Sequence, residues 1–233
     1  MENDMQEEIR RFIECIRKTD GRPYDLWSYV VLCAFNNVAH FFYGAQLSHD
    51  HPTIHEFHQL LQQLGRVLLS GPQNQFLPWM VRRFLTWLPF TRNHRIASAV
   101  AKMDAINSKQ IEKYKARVSG DESTDFILGY TKKIEDSKYE STPLFTDHYL
   151  VGNLNSFLLG GTFTTASLMM WHLLNFAKNP ETVQAKVQHE IDNVIGHNRQ
   201  PSWEDRKRMQ YTLACIWEMQ RWKTIAPLGV SRE

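Results

Sequence analysis

Cysteine is scarce in this sequence, and that scarcity narrows the kind of fold the chain can have. Only Cys15, Cys33 and Cys215 occur in 233 residues, and each falls within a helical pattern. Three cysteines placed inside helices suit reduced thiols rather than a disulfide framework. We therefore expect a fold that depends on a hydrophobic core, which a composition of 42% hydrophobic and 12% aromatic residues can supply.

Excess charge of either sign is also missing. The formal net charge is +2, which argues against a nucleic-acid-binding surface. Residues 1–20 are acidic and then basic with no apolar core, so the sequence predicts no signal or anchor in this chain. The longest apolar stretch carries Asn153, Asn155, three threonines and His172, and is too polar to face lipid on all sides.

Strand-like alternation is nearly absent, and apolar residues recur at helical spacing instead. The first helix is amphipathic, with Met5, Ile9, Phe12, Ile13 and Ile16 on one stripe. We predict a mainly α, multi-helix fold in a single domain, 1–233, organised around a long central helix at about 146–177. The other helices are predicted at 3–19, 26–43, 52–69, 78–88, 92–118, 125–136, 180–195 and 211–223.

Capping residues mark the beginnings of several of these helices. Asp25 and Thr146 are predicted N-caps of the second helix and of the central helix. Ser202 and Asp205 resemble a capping box in which Asp replaces the usual Glu. Asn179 is predicted to cap the helix that follows the central one.

The middle of the central helix departs from ordinary helix composition. Gly160 and Gly161 remove two side chains, at roughly 1 kcal/mol each relative to Ala, and three threonines follow within four residues. Two glycines let a flat group approach the backbone closely, and a Thr hydroxyl can bond to a carbonyl one turn earlier or release it. The alternative is a kinked core helix with small residues at a helix crossing, and this stretch alone favours neither.

Two further groups of polar residues can be interpreted either as functional sites or as ordinary surface residues. His51, His55 and His58 lie about one turn apart, but Pro follows His51 where the metalloprotease motif requires Glu, so we interpret them as a solvated helix face. Glu218 and Arg221 share a helix face. They form either a surface pair or, because tryptophans flank them in an apolar helix, a pair that fixes a specific arrangement.

The glycine stretch and the Glu218–Arg221 pair, in this order and about 55 residues apart, resemble the haem-thiolate monooxygenases of the cytochrome P-450 family. The family's central helix carries a small residue, Gly, any residue, an acid, Thr, and Thr or Ser, which corresponds to Gly160-Gly161-Thr162-Phe163-Thr164-Thr165. The family's E-x-x-R helix corresponds to Glu218-Met219-Gln220-Arg221. With NPETVQAKVQHEIDNVIG, EMQRW and APLGVSR, the chain resembles microsomal members of the second-family type, from about the D helix to the K helix.

The resemblance implies roles for individual residues. Thr164 is the expected catalytic residue, which helps deliver protons to iron-bound dioxygen. Gly160, Gly161, Thr165 and Arg232 are the expected haem-binding positions, with Arg232 near a propionate. Glu218 and Arg221 are expected to form a structural ion pair that braces the proximal side. The expected substrate-lining residues are Phe157, Phe163, Leu228 and Val230.

The activity implied by the resemblance is insertion of one oxygen atom from dioxygen into a lipophilic substrate of xenobiotic, steroid or fatty-acid type. The implied cofactor is haem, the partner is an NADPH-dependent flavoprotein reductase, and the location of the full-length protein is the endoplasmic reticulum membrane. The alternative is a non-catalytic helical fragment that binds a lipophilic ligand or a partner helix. A helical scaffold without a ligand is the third possibility.

Two departures from the family pattern bear on that activity. Phe163 stands where the family has an acid, so a proton-relay carboxylate is replaced by an apolar ring and oxygen use is expected to be less well coupled to product. None of the three cysteines lies in a context like the family's haem loop, so no axial thiolate is expected in this chain. We therefore expect an internal fragment that lacks the N-terminal anchor and holds haem weakly.

Overall fold

The computed structural model describes residues 2–43, 56–57, 59–60, 62–65, 77–117, 126–139 and 144–226. Helices account for most of these residues, and no strand occurs among them, which confirms the predicted mainly α fold. The α-helices are α1 (Glu2–Lys18), α2 (Trp27–Tyr43), α3 (Trp79–Trp87), α4 (Arg92–Arg117), α5 (Phe126–Asp136), α6 (Asp147–Lys178), α7 (Ala185–Val194) and α8 (Gln210–Trp222). A π-helical segment, Pro180–Gln184, precedes α7, and a 3₁₀ helix, Trp203–Arg208, precedes α8.

Three of the predicted caps are present. The Trp27 amide donates to Asp25 Oδ1 at 3.0 Å, and the Tyr149 amide donates to Thr146 Oγ1 at 3.2 Å. Ser202 and Asp205 form the reciprocal capping box at the start of the 3₁₀ helix. These side chains satisfy backbone N–H groups that a first helical turn leaves without partners.

Asn179 occupies the predicted N-cap position, but its side chain forms no capping hydrogen bond. Its side-chain amide donates to the Asn175 carbonyl oxygen at 3.0 Å instead of capping the next helix. The amides of Val183 and Gln184 both donate to the Asn179 carbonyl oxygen at 3.1 Å, and the bond from Gln184 spans five residues, which is the spacing of a π-helix. The chain therefore leaves α6 through Pro180–Gln184 before it becomes α-helical again.

The structure divides into two compact units, and the first comprises Met1–Asn37 and Gly161–Glu233. Phe12, Val30, Val31, Ala34 and Ala166 form a buried cluster in this unit, with Trp27, Met169 and Met170 packed against it. Phe12 is the one buried member of the predicted stripe on α1, while Met5, Ile9, Ile13 and Ile16 are exposed. Glu8 is buried as well, and the Asn36 side-chain amide donates to its carboxylate at 3.3 Å.

The second unit is Val38–Gly160. It contains the end of α2, helices α3 to α5 and the first part of α6. Among its described residues, the largest fully buried side chains are apolar: Phe42, Phe57, Met103, Ile127, Leu150, Leu154 and Leu158. Phe57, Leu60 and Leu64, which belong to the helix predicted at 52–69, are all buried.

The long helix α6 runs through the position of the two glycines without a break. Its buried residues recur every four positions, at Leu150, Leu154, Leu158, Thr162 and Ala166. Among the described helices α6 is also the one that could cross a bilayer by length and composition, a test that core helices of soluble proteins pass too.

Candidate functional site

An open face lies on the middle of α6. Thr164 stands four residues after Gly160, and Phe157 stands three before it, so the three residues share one side of the helix. Phe157 is 55% exposed, and Gly160 and Thr164 are exposed too. A Cβ built on Gly160 would meet no atom within 4 Å. We call Phe157, Gly160 and Thr164 the glycine face.

The opposite side of the same helical turns is packed. Thr162 follows Gly160 by two residues, which is about 200° around an α-helix, and its side chain is completely buried. Gly161 is half-buried, whereas Thr165 is exposed next to the glycine face. Among the predicted cofactor-binding positions that the structure describes, Gly160 and Thr165 are therefore open, and Gly161 is turned partly inward.

Phe163 occupies the position at which the resembling family has an acid. Its ring stacks on the indole of Trp27, the first residue of α2, with ring centroids 6.4 Å apart and an interplanar angle of 26°. Trp27 in turn packs against the buried cluster around Phe12. Phe163 thus contributes to packing within the unit, a role that the sequence alone did not indicate.

The glycine face fits a flat apolar group, because no side chain fills the space over Gly160.

Cys33 and Cys215 are poor sources of a thiolate ligand for a metal ion. Burial raises the pKa of the Cys33 thiol to about 12, and burial also raises the pKa of Cys215. In the part of the chain that the structure describes, no group of three or more His, Cys, Asp and Glu side chains is arranged to hold a metal ion.

The Glu218–Arg221 ion pair forms on α8. Arg221 Nη2 donates to Glu218 Oε1 at 2.5 Å, and Arg221 Nε donates to Oε2 at 2.7 Å. These hydrogen bonds lower the pKa of Glu218 and raise that of Arg221. Of the two interpretations of this pair, the structure favours the surface pair, because the two side chains are 60% and 72% exposed and the buried residue of α8 is Met219.

A different acid, Glu190 on α7, holds the beginning of α8. Its carboxylate accepts hydrogen bonds from the amides of Tyr211 and Thr212, at 2.9 and 2.7 Å, and from the Thr212 hydroxyl at 2.7 Å. Burial opposes the charged form, but these hydrogen bonds prevail and the pKa of Glu190 is lowered. Sequence reasoning missed Glu190, because an acid on one helix does not show which other helix it caps.

Several predicted residues lie outside the described part of the chain. They include one proposed haem-binding position and two substrate-lining positions near the end of the sequence, together with the histidine cluster: Arg232, Leu228, Val230, His51, His55 and His58.

Comparison with known proteins identifies the relatives of this chain. The family model described as Cytochrome P450 matches residues 1–233. The chain is 31% identical over 235 residues to Cytochrome P450 2J5 of Mus musculus, and 30% identical to Cytochrome P450 2A12 of Mus musculus and Cytochrome P450 2J2 of Homo sapiens. Each alignment covers 100% of this chain but 46% of the relative, so the chain spans about half the length of these proteins.

Proposed function

Because the chain belongs to the cytochrome P450 family, we propose that it is part of a haem-dependent monooxygenase that inserts one oxygen atom from dioxygen into a lipophilic organic substrate. The observation that carries this proposal is the glycine face, where a flat group can approach the α6 backbone over Gly160. We include xenobiotic, steroid and fatty-acid substrates in the proposal, since an apolar surface alone does not distinguish them.

Each residue of the glycine face has a proposed task. Bound haem supplies the redox chemistry that activates dioxygen. Gly160 leaves room for the haem, and the half-buried Gly161 and exposed Thr165 flank that position. The Thr164 hydroxyl accepts and donates a proton at its Oγ1. The exposed ring of Phe157 contacts the apolar substrate and excludes water from it.

The remaining family roles also stand as proposals. We assign haem propionate binding to Arg232, substrate contact to Phe163, Leu228 and Val230, and bracing of the proximal side to the exposed pair Glu218 and Arg221. Electrons come from an NADPH-dependent flavoprotein reductase. The single-domain organisation predicted for 1–233 belongs to the same proposal, because the family's catalytic unit is one domain.

We also propose that the complete protein is attached to the endoplasmic reticulum membrane. Helix α3 supports this: Trp79, Phe84 and Trp87 are 64%, 58% and 76% exposed, and Arg82 and Arg83 lie between them. Exposed aromatic and basic side chains on one short helix suit the boundary between lipid headgroups and acyl chains.

The proposed function is tested on Gly160, with Gly152 as a matched control. Both glycines are exposed on α6, and a Cβ on either would meet no atom within 4 Å. In the full-length protein that contains these residues, we expect Gly160→Leu to reduce haem content and the carbon monoxide difference spectrum, whereas Gly152→Leu leaves both unchanged. Equal haem content in the two variants would contradict the haem-facing role of Gly160 and favour a non-catalytic helical chain that binds a lipophilic ligand.

A further inference from the structure

A chain of hydrogen bonds crosses three helices of the unit Val38–Gly160. The Tyr43 hydroxyl on α2 donates to Asn107 Oδ1 on α4, and Asn107 Nδ2 donates to Asn155 Oδ1 on α6 at 2.5 Å. Asn155 Nδ2 then donates to Asp104 Oδ1, again on α4. Asn107 is completely buried and Tyr43 is nearly so. We call these four residues the polar chain.

Asp104 fixes the direction of the polar chain. An ionised carboxylate can only accept hydrogen bonds, so Asn155 must present its amide nitrogen to Asp104 and its oxygen to Asn107. Asn107 must then present its own oxygen to Tyr43. Burial raises the pKa of Tyr43, so its hydroxyl keeps the proton that it donates. Each member therefore has one orientation that satisfies its neighbours.

The polar chain adjoins an aromatic cluster on the same helices. Phe42 precedes Tyr43 on α2, and Phe157 follows Asn155 by two residues on α6. The ring centroids of Phe42 and Phe157 are 5.4 Å apart, and Phe126 of α5 meets Phe42 edge to face at 4.9 Å. A slide or rotation of α6 would break the polar chain and move Phe157 away from Phe42 at the same time.

We propose that Asn155 is a positioning residue that fixes the register of α6 against α2 and α4, and thereby the place of the Phe157 ring on the glycine face. Apolar side chains alone tolerate small shifts, because one aliphatic contact replaces another at little cost. The half-buried amide of Asn155 and the buried amide of Asn107 do not tolerate them, because a shifted amide loses its hydrogen-bond partners. This inference rests on the proposed function in one respect, namely that Phe157 contacts the substrate.

The test exchanges the amide and the carboxylate. Asn155→Asp alone places two carboxylates against each other, which breaks the bond to Asp104. Asp104→Asn combined with Asn155→Asp restores it, because the new carboxylate at position 155 accepts from position 104 and from Asn107. Asn153→Asp adds the same charge at an exposed position of the same helix and serves as the control.

The first measurement needs no haem. In the 233-residue protein, thermal unfolding of Phe42→Ala, Phe157→Ala and the double variant gives the coupling between the two rings. We expect this coupling in the wild-type background and in the exchanged pair, and its loss with Asn155→Asp. Unchanged coupling with Asn155→Asp would overturn the proposal, as would a failure of the exchanged pair to restore it.

The second measurement tests, in the full-length protein, whether the position of the Phe157 ring affects ligand binding. We expect Asn155→Asp to weaken binding of an apolar ligand on the order of tenfold, measured by the ligand-induced change in the haem spectrum, and the exchanged pair to restore it. Normal affinity despite lost ring coupling would overturn the link to binding. A third outcome is that the coupling between the rings behaves as expected but no variant responds to the ligand. That outcome would count against the proposed function and would support the positioning role of Asn155.

Discussion

The Phe163 ring on α6 stacks on the Trp27 ring at the beginning of α2, with 6.4 Å between their centroids and 26° between their planes. The family resemblance implies an acid at this position, and the Phe that stands here instead has an aromatic partner on the neighbouring helix. Trp27 also packs against the buried cluster of Phe12, Val30, Val31, Ala34 and Ala166. The departure from the family pattern therefore has a structural consequence as well as the loss of a carboxylate.

The first prediction is that Phe163 and Trp27 stabilise the fold together. We expect Trp27→Ala and Phe163→Ala each to lower the free energy of unfolding, and the double variant to lower it by less than their sum. Stacked aromatic pairs typically contribute about 0.5–1.5 kcal/mol beyond their buried area. Urea unfolding of the three variants measures the coupling.

Phe163→Leu is the matched control, because it keeps an apolar side chain but removes the ring. It is expected to retain more stability than Phe163→Asp, which places a charge against the Trp27 indole. Strictly additive effects of the two alanine substitutions would show that the stacked geometry adds no stability.

The ends of the helices followed from local sequence, whereas the contacts between helices did not. The predicted ends agree with the structure to within one residue for α1 to α6 and for α8, because caps such as Asp25 and Thr146 act within a single turn. The bond between Asn155 and Asp104 joins residues 51 positions apart, and no local pattern reveals it. The exposure of the Glu218 side chain likewise depends on which other parts of the fold pack against α8, and its neighbours in the sequence do not determine it.

The site shows the same division. Spacing along one helix placed Gly160 and Thr164 on a common face, since helical geometry alone requires it. The partner of Phe163 was not predictable, because a ring on α6 can contact any neighbouring helix. Asn179 shows where a local rule is incomplete: it stands at the N-cap position, but its side-chain amide donates back to the Asn175 carbonyl oxygen and its side chain forms no capping hydrogen bond.

The second prediction concerns the free energy of unfolding that the protein loses by having glycine at position 160. Gly160 lies in a helix interior and is exposed, with open space where a Cβ would stand. In the 233-residue protein without haem, we expect Gly160→Ala to raise the free energy of unfolding by about 1 kcal/mol, because Ala loses less conformational freedom in a helix. Chemical denaturation measures the change.

Gly152→Ala is again the control, and a similar gain is expected there because its surroundings are equally open. A loss of stability at Gly160 alone would mean that its side of the helix is occupied by the protein itself. That result would remove the space that the proposed function requires.

The third prediction is a pH dependence that comes from Glu190. Its pKa is lowered in the folded protein, so its contribution to stability is present above the pKa of the unfolded chain and is lost as the pH falls through the folded pKa. Glu190→Gln is therefore expected to be less stable than the wild type at pH 7. The difference is expected to shrink as the pH falls below the ordinary pKa of a Glu side chain, about 4.3, and then through the lowered pKa of the folded protein. Thermal melts between pH 3 and pH 7 measure it.

Glu181→Gln removes an acid from an exposed position just before α7 and is the control for a general effect of charge. Its melting temperature is expected to follow that of the wild type across the range. If Glu190→Gln also runs parallel to the wild type at every pH, the hydrogen bonds from Tyr211 and Thr212 do not depend on the charge of Glu190.

The last prediction compares two Arg–carboxylate pairs that differ in burial. Arg199 donates to both oxygens of Asp205, with Nη1 at 2.6 Å and Nη2 at 2.7 Å, and the Asp205 side chain is only 5% exposed. These hydrogen bonds hold the pKa of the Asp205 carboxyl well below its usual range. The Glu218–Arg221 pair has similar bond lengths, but both of its side chains face solvent.

Burial should decide which pair matters for folding in this chain. Arg199→Ala leaves a buried carboxylate without its main partner, and the same change removes the donors to the carbonyl oxygens of Gln200 and Val194. Arg221→Ala leaves a carboxylate that water can solvate. We expect a clear fall in melting temperature for Arg199→Ala and little change for Arg221→Ala, measured by differential scanning fluorimetry at low and high salt. An equal fall in melting temperature for both variants would indicate that Glu218 is buried in the folded protein. The Glu218–Arg221 pair would then fix a specific arrangement instead of being an ordinary surface pair.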